Sequence, residues 1–111
     1  MSQLISLQDA IALTSNYRSN KENILATAYR DQGILPICET FDKTVLNSLL
    51  AQTDCQSIRI YLGMDSNYKV KVVIVGADSN SDDILTKNAE VIGEEAQRCP
   101  PICPSSSPLN S

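Results

Sequence analysis

The clearest period in the chain is two. Ile58, Ile60, Leu62 and Met64 alternate with Ser57, Arg59, Tyr61 and Gly63, which is the pattern of a half-buried strand. Asp65-Ser66-Asn67 follows and reads as a turn, because Asp and Asn hydrogen-bond their own backbone and tolerate left-handed geometry. Residues 69–77 then begin as an alternation and become apolar on both faces at 72–75. The two runs predict a β-hairpin of about 57–64 and 69–77, with the second strand at the centre of its sheet. One hairpin cannot cover both faces of that strand, so the remaining segments or a second chain must help. Gly63-Met64-Asp65-Ser66-Asn67 is echoed thirteen residues later by Gly76-Ala77-Asp78-Ser79-Asn80. Each copy closes an apolar strand, so the echo reads as two similar strand-to-turn exits and not as a solenoid repeat.

Apolar positions at helical spacing lie on either side of Pro36. Leu7, Ala10, Ile11, Thr14 and Tyr17 share one face, and Ser6 with Asp9 has the spacing of a capping box. Ser19 with Glu22 repeats that spacing and predicts a restart carrying Ile24, Leu25 and Ala28, as one bent helix or two. Pro36 disfavours helix at Leu35, and 37–41 reads as extended. Asp42 is then an N-cap, with Phe41 and Leu46 as a hydrophobic staple, for a helix over about 42–52 with a stripe of Val45, Leu46, Leu49 and Leu50. Ile84, Leu85, Val91 and Ile92 would share a helical face, but Gly93 interrupts it. Residues 99–111 hold four of the five prolines and four serines and read as an extended or wrapped arm. The expectation is an α+β fold: N-terminal helices and a central helix packed on a small antiparallel sheet, with a domain over 1–98 and an arm over 99–111.

Composition narrows the function more than it names one. At 111 residues the chain suits one domain, and 42% hydrophobic with 20% charged residues is enough to build a core. The net charge of −4, without a Lys/Arg cluster, speaks against nucleic acid or an anionic membrane surface as a partner. No apolar run reaches the roughly 18–20 residues of a membrane span, and the first residues lack a basic and apolar signal region. The expected compartment is therefore the cytoplasm, where the four cysteines would be thiols.

The sequence has no histidine, which removes Ser-His and Cys-His nucleophile pairs, His-ligated metals and an imidazole base. Carboxylate, Lys or Tyr chemistry remains, but no spacing designates a catalytic residue. Cys99 and Cys103 form a C-x3-C pair stiffened by Pro100 and Pro101, with Cys38 and Cys55 elsewhere. Four thiolates can hold zinc tetrahedrally, so Cys99 and Cys103 are the candidate metal ligands. The alternative for Cys38 and Cys55 is plain burial, common for free cysteine. Asp78-Ser79-Asn80-Ser81-Asp82 has the look of a calcium loop, yet Asp83 and Ala89 stand where an EF-hand needs Gly and Glu. A solvated acidic turn is the simpler reading. Tyr17 with Arg18, and Arg59 with Tyr61, are residue types favoured in interfaces and are the candidate interaction surface.

Tyr17-Arg18, Glu39-Thr40-Phe41, Arg59-Ile60-Tyr61, Val75-Gly76-x-Asp78 and the terminal Cys-Pro-Pro-x-Cys-Pro resemble a family of small uncharacterised bacterial proteins over most of the chain. The resemblance implies no activity and transfers no functional residue. The leading expectation is a non-catalytic interaction module that self-associates as a homodimer or takes a protein partner, motivated by the doubly apolar 72–75 and the proline-rich arm. A cysteine-based zinc module and a small carboxylate-dependent enzyme are the alternatives.

Overall fold

The computed structural model describes residues 3–85, 91–92 and 97–110, with Val91 and Ile92 described by their backbone alone. Among them lie the helices α1 (Leu7–Asn20) and α2 (Lys43–Leu50). The strands are β1 (Cys38–Thr40), β2 (Ser57–Met64), β3 (Val70–Ala77), β4 (Val91–Ile92) and β5 (Gln97–Cys99). They form two small antiparallel sheets, β1–β5 and β2–β3–β4, so the fold is mixed α+β.

The hairpin of β2 and β3 runs in unbroken register from Ser57 opposite Ala77 to Met64 opposite Val70. Its turn is closed by Asp65, whose Oδ1 accepts from the amides of Asn67 (2.8 Å) and Lys69 (3.0 Å), while Tyr68 takes a left-handed φ of 66°. The echoed sequence builds the same turn again. Asp78 Oδ1 accepts from Asn80 (2.9 Å) and Asp82 (3.0 Å), and Ser81 has the φ of 66°. This second turn sends the chain back along the other edge of β3. There Asp83 bridges Ala77, the Ile84 amide donates to the Gly76 carbonyl at 2.9 Å, and β4 pairs with Ile74 and Val75.

β3 is therefore the central strand, and its C-terminal half supplies Ile74, Val75 and Ala77 to the core. The helical face expected for Ile84, Leu85, Val91 and Ile92 does not form across the described residues. The edge of β3 has open hydrogen-bonding groups at that point, and the returning chain is committed to them. The intervening residues 86–90 and the Gly93 interruption lie outside the described residues.

Asp42 caps α2 as expected, its Oδ1 accepting from the Thr44 amide at 3.3 Å, and Leu49 is the helix's buried residue. The segment after α2 rests on β3 at Gly76. A Cβ there would stand 2.6 Å from Gln52 Oε1 and 3.1 Å from Cys55 Sγ, so a side chain at 76 would have to displace both. α1 begins at Ser6, whose hydroxyl accepts from the Asp9 amide at 3.0 Å, and ends at Asn20. The second box starts no α-helix. Glu22 accepts from the distant Asp31 amide at 2.6 Å and pairs with Lys21, and a 3-10 turn at Thr27–Tyr29 follows. α1 has no buried residue and packs chiefly against a second 3-10 turn at Pro108–Asn110. It is α2 that rests on β2 and β3.

Arg98 joins the two sheets. It sits opposite Glu39 in the β1–β5 pair. Its guanidinium donates to the carbonyls of Gly33 (2.5 Å), Ile34 (2.8 Å) and Val70, and lies 3.5 Å from Glu39 Oε1. Glu39 Oε2 accepts from the Val72 amide at 3.4 Å. The Glu39 side chain is only 3% exposed. Replacing Arg98 by Leu leaves that carboxylate buried without its counter-charge and should cost about 3–5 kcal/mol in urea denaturation. Gly76→Ala should lower stability by about 1–3 kcal/mol by the same measurement, because Gln52 and Cys55 must move away.

Candidate interaction surface

The outer edge of β3 is closed segment by segment. Val70 donates to the Ile34 carbonyl at 2.8 Å, Val72 to Glu39, β4 takes Ile74 and Val75, and Ile84 takes Gly76. The backbone groups of Val70, Val72 and Gly76 thus point away from β2. Their directly opposed residues Met64, Leu62 and Ile58 consequently send theirs to the outer edge of β2, and Ile60 follows by alternation. β2 has β3 as its one strand neighbour among the described residues, so that edge lacks a pairing strand.

The same residues carry uncovered side chains. Ile60 is 61% exposed, Leu62 78% and Met64 60%, whereas Ile58 is half-buried. The sequence led to a half-buried row throughout, and length explains the difference. Eight residues of helix span about 12 Å, and eight residues of strand about 26 Å, so α2 can cover only the Ile58–Gly76 end. Beyond Met64 the apolar surface continues into a hollow of about 200 Å³ lined by Leu25, Tyr29, Ile34, Met64 and Tyr68. Tyr29 and Tyr68 meet edge to face there, with centroids 5.6 Å apart.

On the opposite face of β2, Arg59 and Tyr61 converge on Asp83 across β3. The Tyr61 hydroxyl donates to Asp83 Oδ2 at 2.5 Å, and Arg59 donates to Asp83 Oδ1 and to the Ser81 carbonyl and hydroxyl at 2.9 and 3.0 Å. Hydrogen bonds from Tyr61 and then Arg59 hold the Asp83 carboxyl below its usual range, and the same carboxylate raises the Tyr61 phenol and the Arg59 guanidinium. The candidate pair Arg59 and Tyr61 is thus brought together, by a residue that sequence reasoning missed. The echoed turn was the available signal, since a second hairpin of that form must place Asp83 beside Ala77.

Tyr17 and Arg18 belong to a different region and serve as ties. The Tyr17 hydroxyl donates to the Pro36 carbonyl at 2.6 Å and Arg18 to the Leu109 carbonyl, fastening α1 to the approach to β1 and to the chain's last turn. Partial burial pushes the Tyr17 phenol above its ordinary value, against the lowering effect of Arg98.

Cys99 and Cys103, expected as thiols, are joined by a disulfide, while Cys38 and Cys55 are free. The chain folds back tightly between the bonded pair, with the Ile102 amide on the Arg98 carbonyl at 2.9 Å, and their Cα atoms stand 4.8 Å apart. In this form neither sulfur is a thiolate ligand, and no group of three or more Cys, Asp or Glu able to hold a metal occurs among the described residues. The Asp78 carboxylate of the calcium-like run is occupied by the backbone amides of its own turn. A groove of about 370 Å³ along α1 is lined by Leu13, Asn16, Tyr17, Asn20, Lys21 and Ile24, which include no carboxylate. No helix among the described residues is long and apolar enough to cross a membrane.

Comparison with protein families, curated proteins and solved structures finds no match, so a functional reading must rest on this geometry.

A depressed carboxyl contributes stability above its unfolded pKa, about 4, and loses it as pH falls through the folded value. Asp83→Asn should therefore lower the urea midpoint at neutral pH and make the loss of stability below about pH 4 shallower than in the native protein. Urea titrations of both proteins across that range measure it.

Proposed function

We propose that this chain is a non-catalytic interaction module that self-associates edge to edge through β2. The observation that carries the reading is the coincidence of an eight-residue edge with no pairing strand among the described residues and an exposed Ile60–Leu62–Met64 row on the same residues. Such edges are ordinarily guarded by charge, proline or a bulge. β2 has no proline, and its one charged residue, Arg59, is already paired with Asp83.

A second copy is the occupant that fits. Antiparallel pairing about a twofold axis through Tyr61 would set Ile60 opposite Leu62 and Ile58 opposite Met64, making the two apolar rows continuous. Arg59 would meet Gly63, so no like charges would be opposed. Joining two three-stranded sheets in this way would satisfy the outward N–H and C=O groups of both β2 edges and bring the two apolar rows into lateral contact. The expectation of self-association rested on the doubly apolar stretch at 72–75 and on the proline-rich arm. β3 is the central strand, as its pattern predicted, with strands on both sides, so the open edge belongs to β2. Homodimerisation, a protein-interaction role and a cytoplasmic setting all belong to this proposal.

The test is sedimentation equilibrium of the native chain and of Leu62→Lys. Leu62 is largely exposed, so its replacement should leave thermal unfolding of the monomer almost unchanged while weakening the dimer by about tenfold or more, the effect of losing ~1.4 kcal/mol of association. A native chain that stays monomeric at high concentration, or a Lys variant that dimerises as tightly, would count against β2 as the interface.

A further inference from the structure

We propose that Cys38, Cys99 and Cys103 form a thiol–disulfide exchange site in which Cys99 alternates between two partners. Cys99 is bonded to Cys103, four residues further on, and stands directly opposite the free Cys38 in the β1–β5 register. Directly opposed residues of an antiparallel pair project from the same face with Cβ atoms about 4.5–5.5 Å apart. The Cα separation of such a pair, about 4.5–5.5 Å, lies inside the range of about 4.4–6.8 Å that a disulfide accepts, and the Cβ atoms must close to about 3.5–4.5 Å as the bond forms. Two partners are therefore within reach of one sulfur, one along the chain and one across the ribbon.

The exchange is an isomerisation. The Cys38 thiolate attacks Cys99 Sγ, the Cys38–Cys99 bond forms as Cys99–Cys103 breaks, and the electron pair leaves on the Cys103 sulfur. The proton given up by Cys38 is matched by one taken up at Cys103, so no oxidant or reductant is consumed. The two ends differ in setting. Cys99 is fully buried (0% exposed) and Cys103 is exposed. Exchange thus moves the free thiol from β1 to the surface turn, and replaces a local link by one that staples the strand pair carrying Glu39 and Arg98. Cys55 takes no part, because its thiol donates to the Ser57 carbonyl at 3.5 Å and lies beside Gly76 in the other sheet. The proposal is independent of the β2 interface and uses none of its residues.

Disulfide mapping tests it. The native chain is equilibrated in a mixed glutathione buffer near pH 8, close to the thiol range, quenched in acid, alkylated with N-ethylmaleimide and cut with trypsin. Cleavage places Cys38 on peptide 31–43, Cys55 on 44–59, and Cys99 with Cys103 on 99–111. The expected result is protein without interchain disulfides in two forms, one with 99–111 bonded internally and one with 31–43 joined to 99–111 and the alkyl group on Cys103. Cys103→Ser should drive the second pairing, lowering alkylated 31–43 about tenfold, while Cys55→Ser should change nothing. The proposal is overturned if 31–43 is fully alkylated in every buffer while 99–111 merely opens and closes, or if the 31–43 link joins two chains. The native mapping decides this even if the Ser variant fails to fold.

Discussion

Arg98 reaches three carbonyls and one carboxylate belonging to three separate stretches of chain: the 33–34 segment, β1 and β3. β1 and β5 have three residues each, too few to be stable as an isolated ribbon. The guanidinium attaches that ribbon to the larger sheet, together with the Val72 amide on Glu39 and the Val70 amide on the Ile34 carbonyl. A planar fork of donors suits the task, since it can satisfy several carbonyls from one position while opposing the buried Glu39. Taking both charges out of water is costly, and the surrounding hydrogen bonds offset that cost only if they all form. Glu39 Oε1 accepts no hydrogen bond among the described residues and has the 3.5 Å ion pair with Arg98 to offset its burial, and the junction couples the register of β1–β5 to the edge of β3.

With that edge sealed, the unmet demands of the fold fall on β2. The described core is small: Ile34, Leu49, Ile74, Val75, Ala77 and Cys99 are its buried apolar residues. The radius of gyration of 15.9 Å exceeds the roughly 13 Å expected of a compact chain of this length. Two short helices are divided between tasks, α2 on the sheet and α1 against the C-terminal turn. Neither reaches the middle of β2, and this is the physical origin of the surface assigned to self-association.

Polar side chains do much of the work that a larger core would do. Asp65 and Asp78 close the two turns, Asp54 accepts from the Ser79 amide and hydroxyl to hold the second one in place, and Asp83 ties β2 to the returning chain. The acidic balance of the sequence thus has a structural use. These carboxylates are spent on backbone amides and on Arg59 and Tyr61, not gathered into a site.

Local rules in the sequence were enough to determine the α+β class, the hairpin and its limits, the caps at Ser6 and Asp42, and the recurrence of one turn. Each of these depends on neighbours a few residues away, where periodicity and side-chain-to-backbone bonding act. The sequence also brought Arg59 and Tyr61 to notice, though not the Asp83 that unites them. Three things were decided only by tertiary structure: which face of β2 stays open, where α1 docks, and how Cys38 is brought opposite Cys99. All three depend on pairings between residues far apart in the chain. The length of β2 could be read from the sequence, whereas α2, expected over about 42–52, ends at Leu50; the place where one lies across the other could not be read, because packing and long-range register leave no local period.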